Sequence, residues 1–172
     1  MLDHLRDLLN HMAWADGVFF HAWSKGPQED EELRERWSHV LGTATFFTEI
    51  IRGEHDLPWD KIRSGEVRPP WLDQPLKSFD ELKSRTQANH EQLAATLATW
   101  DEAALEHKVL IPWFPDPPCV LSAAEALMQA VLHTQHHRGQ CMTKLKEKGG
   151  EPKNVDYIIW MWKGRPAARY EG

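Results

Sequence analysis

Apolar residues return at helical spacing in four stretches of this chain. Leu2, Leu5, Leu9, Met12, Phe19 and Trp23 recur at intervals of three, four and seven. Leu33, Trp37, Val40, Ala44, Phe47 and Ile51 repeat the pattern. Phe79, Leu82, Leu93, Leu97 and Trp100 follow with a more polar middle, then Ala124, Leu127, Met128, Val131, Leu132, Met142 and Leu145. Each stretch reads as an amphipathic helix with one face for a core. The eleven prolines agree, because they leave 1–26, 28–57, 76–111 and 119–151 free of proline, and proline breaks helix interiors. Ser78 with Glu81, and Ser122 with Glu125, have the spacing of capping boxes. The fourth helix runs out through Lys144, Lys146 and Lys148 into Gly149 and Gly150, cations and glycines that suit a helix C-terminus. Two connections are long, 53–77 and 107–121, and the second has room for a short hairpin at most. Residues 156–162 predict one short helix. The expected fold is all-α: a four-helix bundle with long crossover connections and a short C-terminal helix, as a single domain over 1–172.

Composition removes several classes. A chain of 172 residues can bury a real core. Its 20 Lys and Arg against 26 Asp and Glu give a net charge of −6, which argues against a nucleic-acid binder. No apolar run approaches the roughly 20 residues that span a bilayer, and Met1–Asp7 alternates charge with Leu, unlike a secretory signal. Cys119 and Cys141 cannot build a disulfide scaffold and suit a reducing compartment as free thiols. The expected location is cytoplasmic. Ten His and nine Trp stand out. Trp14, Trp23, Trp37 and Trp100 fall on or near apolar stripes and read as core. Trp59, Trp71 and Trp113 lie in the connections, as walls of a cleft or as loop anchors. Trp160 and Trp162 are expected to pack the tail onto the bundle.

The sharpest chemistry is His133-Thr-Gln-His136-His137-Arg138-Gly139-Gln140 in the fourth helix. His133 and His137 are one turn apart, so their imidazoles leave from one stripe and can share a metal ion. Ala126 and Ala130 on the same stripe leave space beside them, whereas His136 lies about 100° away. Ten histidines also produce such pairs by chance, and a helical His pair without metal is the plain alternative. Position 134 is Thr and position 130 is Ala, so neither a zincin nor a di-iron motif is present. A third ligand must come from another helix. Of His4, His11, His21, His39, His55, His90 and His107, His39 fits best, at the edge of the apolar face of the second helix. His4 and His11 could equally be polar-face residues, His90 between Asn89 and Glu91 suggests solvent, and His55 and His107 fall in or near loops. Gln140 could support His137 or line a pocket. Cys141 lies about 12 Å along the axis from His133 and reads as core, with a pocket as the alternative. Trp14 is open in the same way. Arg138 points elsewhere, to a salt bridge or an anion. Gly139 most simply permits close helix packing. Glu49 is a possible base, with a solvated or interface role as the alternative.

Three stretches together resemble the DinB family of DNA-damage-inducible bundle proteins: Leu9-Asn10-His11-Met12-Ala13-Trp14-Ala15-Asp16; Trp37-Ser38-His39-Val40-Leu41-Gly42 leading to Arg52-Gly53; and Leu132-His133 through Gln140. Asp156-Tyr157-Ile158 resembles the family's closing segment. The resemblance implies a four-helix bundle holding one divalent ion, often nickel or zinc, on His39, His133 and His137. It also implies a homodimer, and an activity among metal-dependent thiol S-transferases and isomerases using small thiol co-substrates, or hydrolases. The family's name suggests DNA, which the acidic charge opposes. Two expectations stand: a metal-dependent enzyme acting on a small molecule, and a non-catalytic metal- or ligand-binding dimer.

Overall fold

The computed structural model describes residues 1–54, 58, 61–62, 64–67 and 77–170. Trp59, Trp71, His55 and most of the 53–77 connection lie outside the described residues. The helices are α1 (Leu2–Trp23), α2 (Glu31–Ile51), α3 (Phe79–Ala98), α4 (Ala123–Glu147) and the short α5 (Tyr157–Trp162). Each of the four long helices packs on two others, in the circular order α1, α4, α2, α3. The connection from α3 to α4 holds a 3-10 turn, Ala103–Glu106, and an antiparallel hairpin of β1 (Lys108–Pro115) and β2 (Pro118–Ser122). Alternation explains the hairpin's attachment: Val109 and Ile111 are buried while Leu110 faces out. Among the described residues no helix is long and apolar enough to cross a membrane.

Helix ends follow local chemistry. At Ser122 the full capping box forms: the Glu125 amide donates to the Ser122 hydroxyl at 3.2 Å and the Ser122 amide to the Glu125 carboxylate at 2.7 Å. At Ser78 the hydroxyl accepts from the Glu81 amide, while the Glu81 carboxylate lies 4.0 Å from Arg85. Asp30 caps α2 by accepting from the Leu33 amide at 3.0 Å, a signal the sequence reading passed over. α4 closes with Gly149 at φ +83° and with Gly149 and Gly150 amides donating to the Lys146 and Leu145 carbonyls, the paired bonds of a Schellman turn.

The core is divided along the bundle. One apolar cluster joins Leu5, Leu9 and Met12 to Phe46, Phe47, Leu93, Leu97, Leu127, Val131 and the hairpin residues Val109 and Ile111. A second joins Phe19, Phe20 and Trp23 to Leu33, Trp37, Val40, Phe79, Leu82, Cys141 and Leu145. Phe19 stacks on Trp37 at 4.5 Å, and the Trp37 indole N–H donates to Thr86, which satisfies its polar end. Between the clusters in helix order lie Asp16 on α1, Thr86, Asn89 and His90 on α3, and Thr134 and Arg138 on α4. Of these, all but the partly exposed His90 are buried. Arg138, 1% exposed, donates to Asp16 at 2.6 Å, and His90 lies 3.0 Å from the other Asp16 oxygen. The solvent reading of His90 is therefore corrected: the third helix turns it inward to a carboxylate. His11 is likewise buried, with Nε2 2.7 Å from the Val155 carbonyl and its ring among Trp14, Tyr157 and Trp160.

The tail is anchored on α1. Trp160 is buried and donates to the Pro166 carbonyl at 3.0 Å, and Tyr170 donates to the Ala13 carbonyl at 3.2 Å. Gly17 makes the crossing possible, because a Cβ there would lie 2.7 Å from the Arg169 carbonyl oxygen. Trp162, by contrast, is 79% exposed and does not pack the tail. Gly139 also departs from expectation. It is exposed, and a Cβ there would meet nothing within 4 Å, so close helix packing is not its role.

Candidate metal centre

α2 and α4 are neighbours, and their facing edges bring His39, His133 and His137 together. One ligand atom from each ring lies within 4.8 Å of the others. Ring centroids stand 4.9 Å apart for His39 and His133, 4.7 Å for His39 and His137, and 4.3 Å for His133 and His137. The i, i+4 spacing on α4 sets the last distance, and the packing of α2 on α4 sets the other two. His39 is exposed and the other two are half-buried, so the cluster sits at the outer edge of this seam.

The donor set fits a divalent ion. His133 Nε2 and His39 Nε2 are 3.1 Å apart, whereas nitrogens around a tetrahedral zinc with bonds of 2.0–2.1 Å stand roughly 3.3 Å apart. At that distance one neutral imidazole can donate its Nε2–H to the other, and with both protons on Nδ1 the two Nε2 lone pairs are instead available to a cation. His133 Nδ1 is buried with no hydrogen-bond partner among the described residues, as are the hydroxyls of its neighbour Thr134 and of Ser38 beside His39. Burial first, and then repulsion from His137, His39 and His136, lowers the His133 pKa from 6.5 to about 4. Burial and His137 also lower that of His39. Both rings are therefore neutral at pH 7, the form that ligates metal.

The flanking candidates separate. Gln140 reaches the cluster, its Oε1 2.8 Å from His137 Nδ1 and its Nε2 3.1 Å from His136 Nε2. Cys141 has no exposed surface and belongs to the second core cluster, where burial pushes its thiol up to about 12. It packs in the core. Trp14 is buried with Ala15, Val155 and Trp160 beneath Lys163, so it too is core. Arg138 turns inward to Asp16, Gln135 and the Met12 carbonyl, a salt bridge rather than an exposed anion contact. Trp113 rests on Phe46 at 4.6 Å but stays 42% exposed.

The pairing of Asp16 with Arg138 was not expected from the sequence, although a signal existed. Asp16 stands four residues after Met12 and three before Phe19, a charged residue in core register. Arg138 holds the matching position between Val131 and Cys141. Opposite charges in core register on two helices point to a buried pair.

Among known proteins, the model of the DinB family matches residues 1–168 of the 172-residue chain. No curated protein and no solved structure matches it.

Proposed function

Since the chain belongs to the DinB family, we propose that it binds one divalent ion, zinc or nickel, on His39, His133 and His137 and acts on a small molecule. The observation that carries this reading is the convergence of three imidazoles from two helices, their ligand atoms within 4.8 Å. When bound, an ion with three protein ligands supplies a Lewis-acid position that makes water or a thiol nucleophilic near neutral pH. The chain's own residues prepare that position. His133 and His39, both with lowered pKa values, compete little for protons. Gln140 bonds His137 from outside the cluster. The exposure of His39 leaves the outer side of the seam for a substrate. The reaction classes proposed are thiol S-transfer, with a small thiol co-substrate, and hydrolysis. The net charge of −6 favours a small molecule over nucleic-acid phosphates as partner. A cytoplasmic homodimer completes the proposal, with sedimentation as its check.

A second reading, a non-catalytic metal- or ligand-binding bundle, is favoured by one observation. Among the described residues the cluster contains three histidines and no carboxylate, so no acid or base joins the ligands.

The test is metal content of tag-free protein by elemental mass spectrometry. About one equivalent is expected, lost in both His39→Ala and His137→Ala. No metal after reconstitution with zinc and with nickel would overturn the metal reading. Metal without turnover in thiol-transfer and hydrolysis screens would favour the second.

A further inference from the structure

We propose that Gln140 is a positioning residue for the metal centre: its side-chain amide, oriented by His136, fixes His137 as the tautomer that can ligate through Nε2. The inference rests on the metal reading of the His39, His133 and His137 cluster. Gln140 Oε1 lies 2.8 Å from His137 Nδ1. An amide oxygen only accepts, so Nδ1 carries the proton. A neutral imidazole has a single N–H, which leaves the lone pair of His137 on Nε2.

The other end of the amide decides its orientation. Gln140 Nε2 lies 3.1 Å from His136 Nε2. An amide nitrogen only donates, so His136 accepts at Nε2 and holds its own proton on Nδ1. Turning the amide over would set its NH2 group against His137 Nδ1. The lone pair of His137 would then sit on Nδ1 and the proton on Nε2, where it blocks a metal. His136 thereby acts on the seat without touching it.

Helix geometry makes this bridge local. Position 140 is four residues from 136 and three from 137, the two spacings at which helical side chains meet. His136 and Gln140 are both exposed, and the His136 ring meets His137 edge-on at 4.9 Å. No tertiary contact is needed. His133 has no equivalent support, since its Nδ1 is buried without a partner among the described residues. Of the two ligands on α4, His137 is thus the one whose tautomer a neighbouring side chain holds.

Two readouts test this. Long-range proton–nitrogen correlation spectra of the metal-free protein report the His137 tautomer. Competition with a chromogenic chelator reports zinc affinity. Unaltered protein is expected to show His137 as Nδ1–H. Gln140→Leu is expected to lose that signature and to bind zinc 10- to 100-fold more weakly, with unchanged circular dichroism. Gln140→Glu, whose carboxylate can only accept, keeps the tautomer and the affinity. His136→Leu weakens zinc binding when residue 140 is Gln, but not when it is Glu, because a carboxylate has no wrong way round. An Nε2–H tautomer in the unaltered protein, or a Gln140→Leu variant unchanged in both readouts, overturns the role of Gln140. An equal loss from His136→Leu in both backgrounds overturns the orienting role of His136. The expected tautomer in a protein that binds no zinc overturns the metal reading itself while leaving the amide geometry standing.

Discussion

Two helical glycines answer a methyl group in opposite ways. At Gly17 a Cβ would sit 2.7 Å from a backbone oxygen of the docked tail. Backbone cannot step aside as a flexible side chain can, so Gly17→Ala is expected to cost about 1–3 kcal/mol as an overpacked contact. At Gly139 nothing lies within 4 Å. Gly139→Ala should therefore stabilise the protein by roughly 0.5–1 kcal/mol, the usual helical preference of Ala over Gly. Urea unfolding of the two variants beside the parent checks both signs. Equal shifts would mean that the Gly17 crossing does not constrain the tail.

At the scale of elements, the apolar period locates all four long helices because each buries an apolar stripe, although the tail covers a further face of α1. Capping and glycine signals then place the starts of α3 and α4 and the end of α4, whereas the end of α3 at Ala98 carries no such signal and lies well short of Pro112. The hairpin was legible only as a possibility, since a short run such as Lys108–Ile111 has no room to show a period. The histidine pair was legible because i, i+4 spacing is a property of one helix. Its partner on α2 depends on which helices pack together, which no single stretch records. His90 was misread for the same reason: its sequence neighbours are polar, but its spatial neighbour is Asp16 on another helix. The layer that holds Asp16, Arg138 and His90 makes a sharp prediction about α1 and α4. Asp16→Ala leaves Arg138 buried and without its carboxylate, and should cost about 3–5 kcal/mol. Replacing both, as Asp16→Leu with Arg138→Met, should recover most of that loss. Failure of the double variant to recover would mean that the layer contributes more than charge pairing.

For the whole molecule, three histidines with lowered pKa values couple stability to pH. Burial lowers the pKa values of His11, His39 and His133, the last to about 4. Unfolded, each titrates near 6.5. Between those values the unfolded chain binds protons that the folded one refuses, so stability rises with pH across this window. The metal-free protein should be most stable above pH 6.5 and should lose stability steadily as pH falls towards 4. Urea midpoints across that range check it. His133→Gln should flatten the dependence, and an unchanged curve would remove His133 from the account.

The candidate seat occupies the outer edge of one seam, where His39 is exposed, and the buried layer joins α1, α3 and α4 away from that edge. Access and architecture are therefore separated. An ion could enter or leave by rotation of three side chains while the core stays closed. Loading would then be governed by traffic in the surrounding solution rather than by breathing of the fold. A chelator would meet the ion directly, and the emptied protein would keep its shape, ready to be refilled.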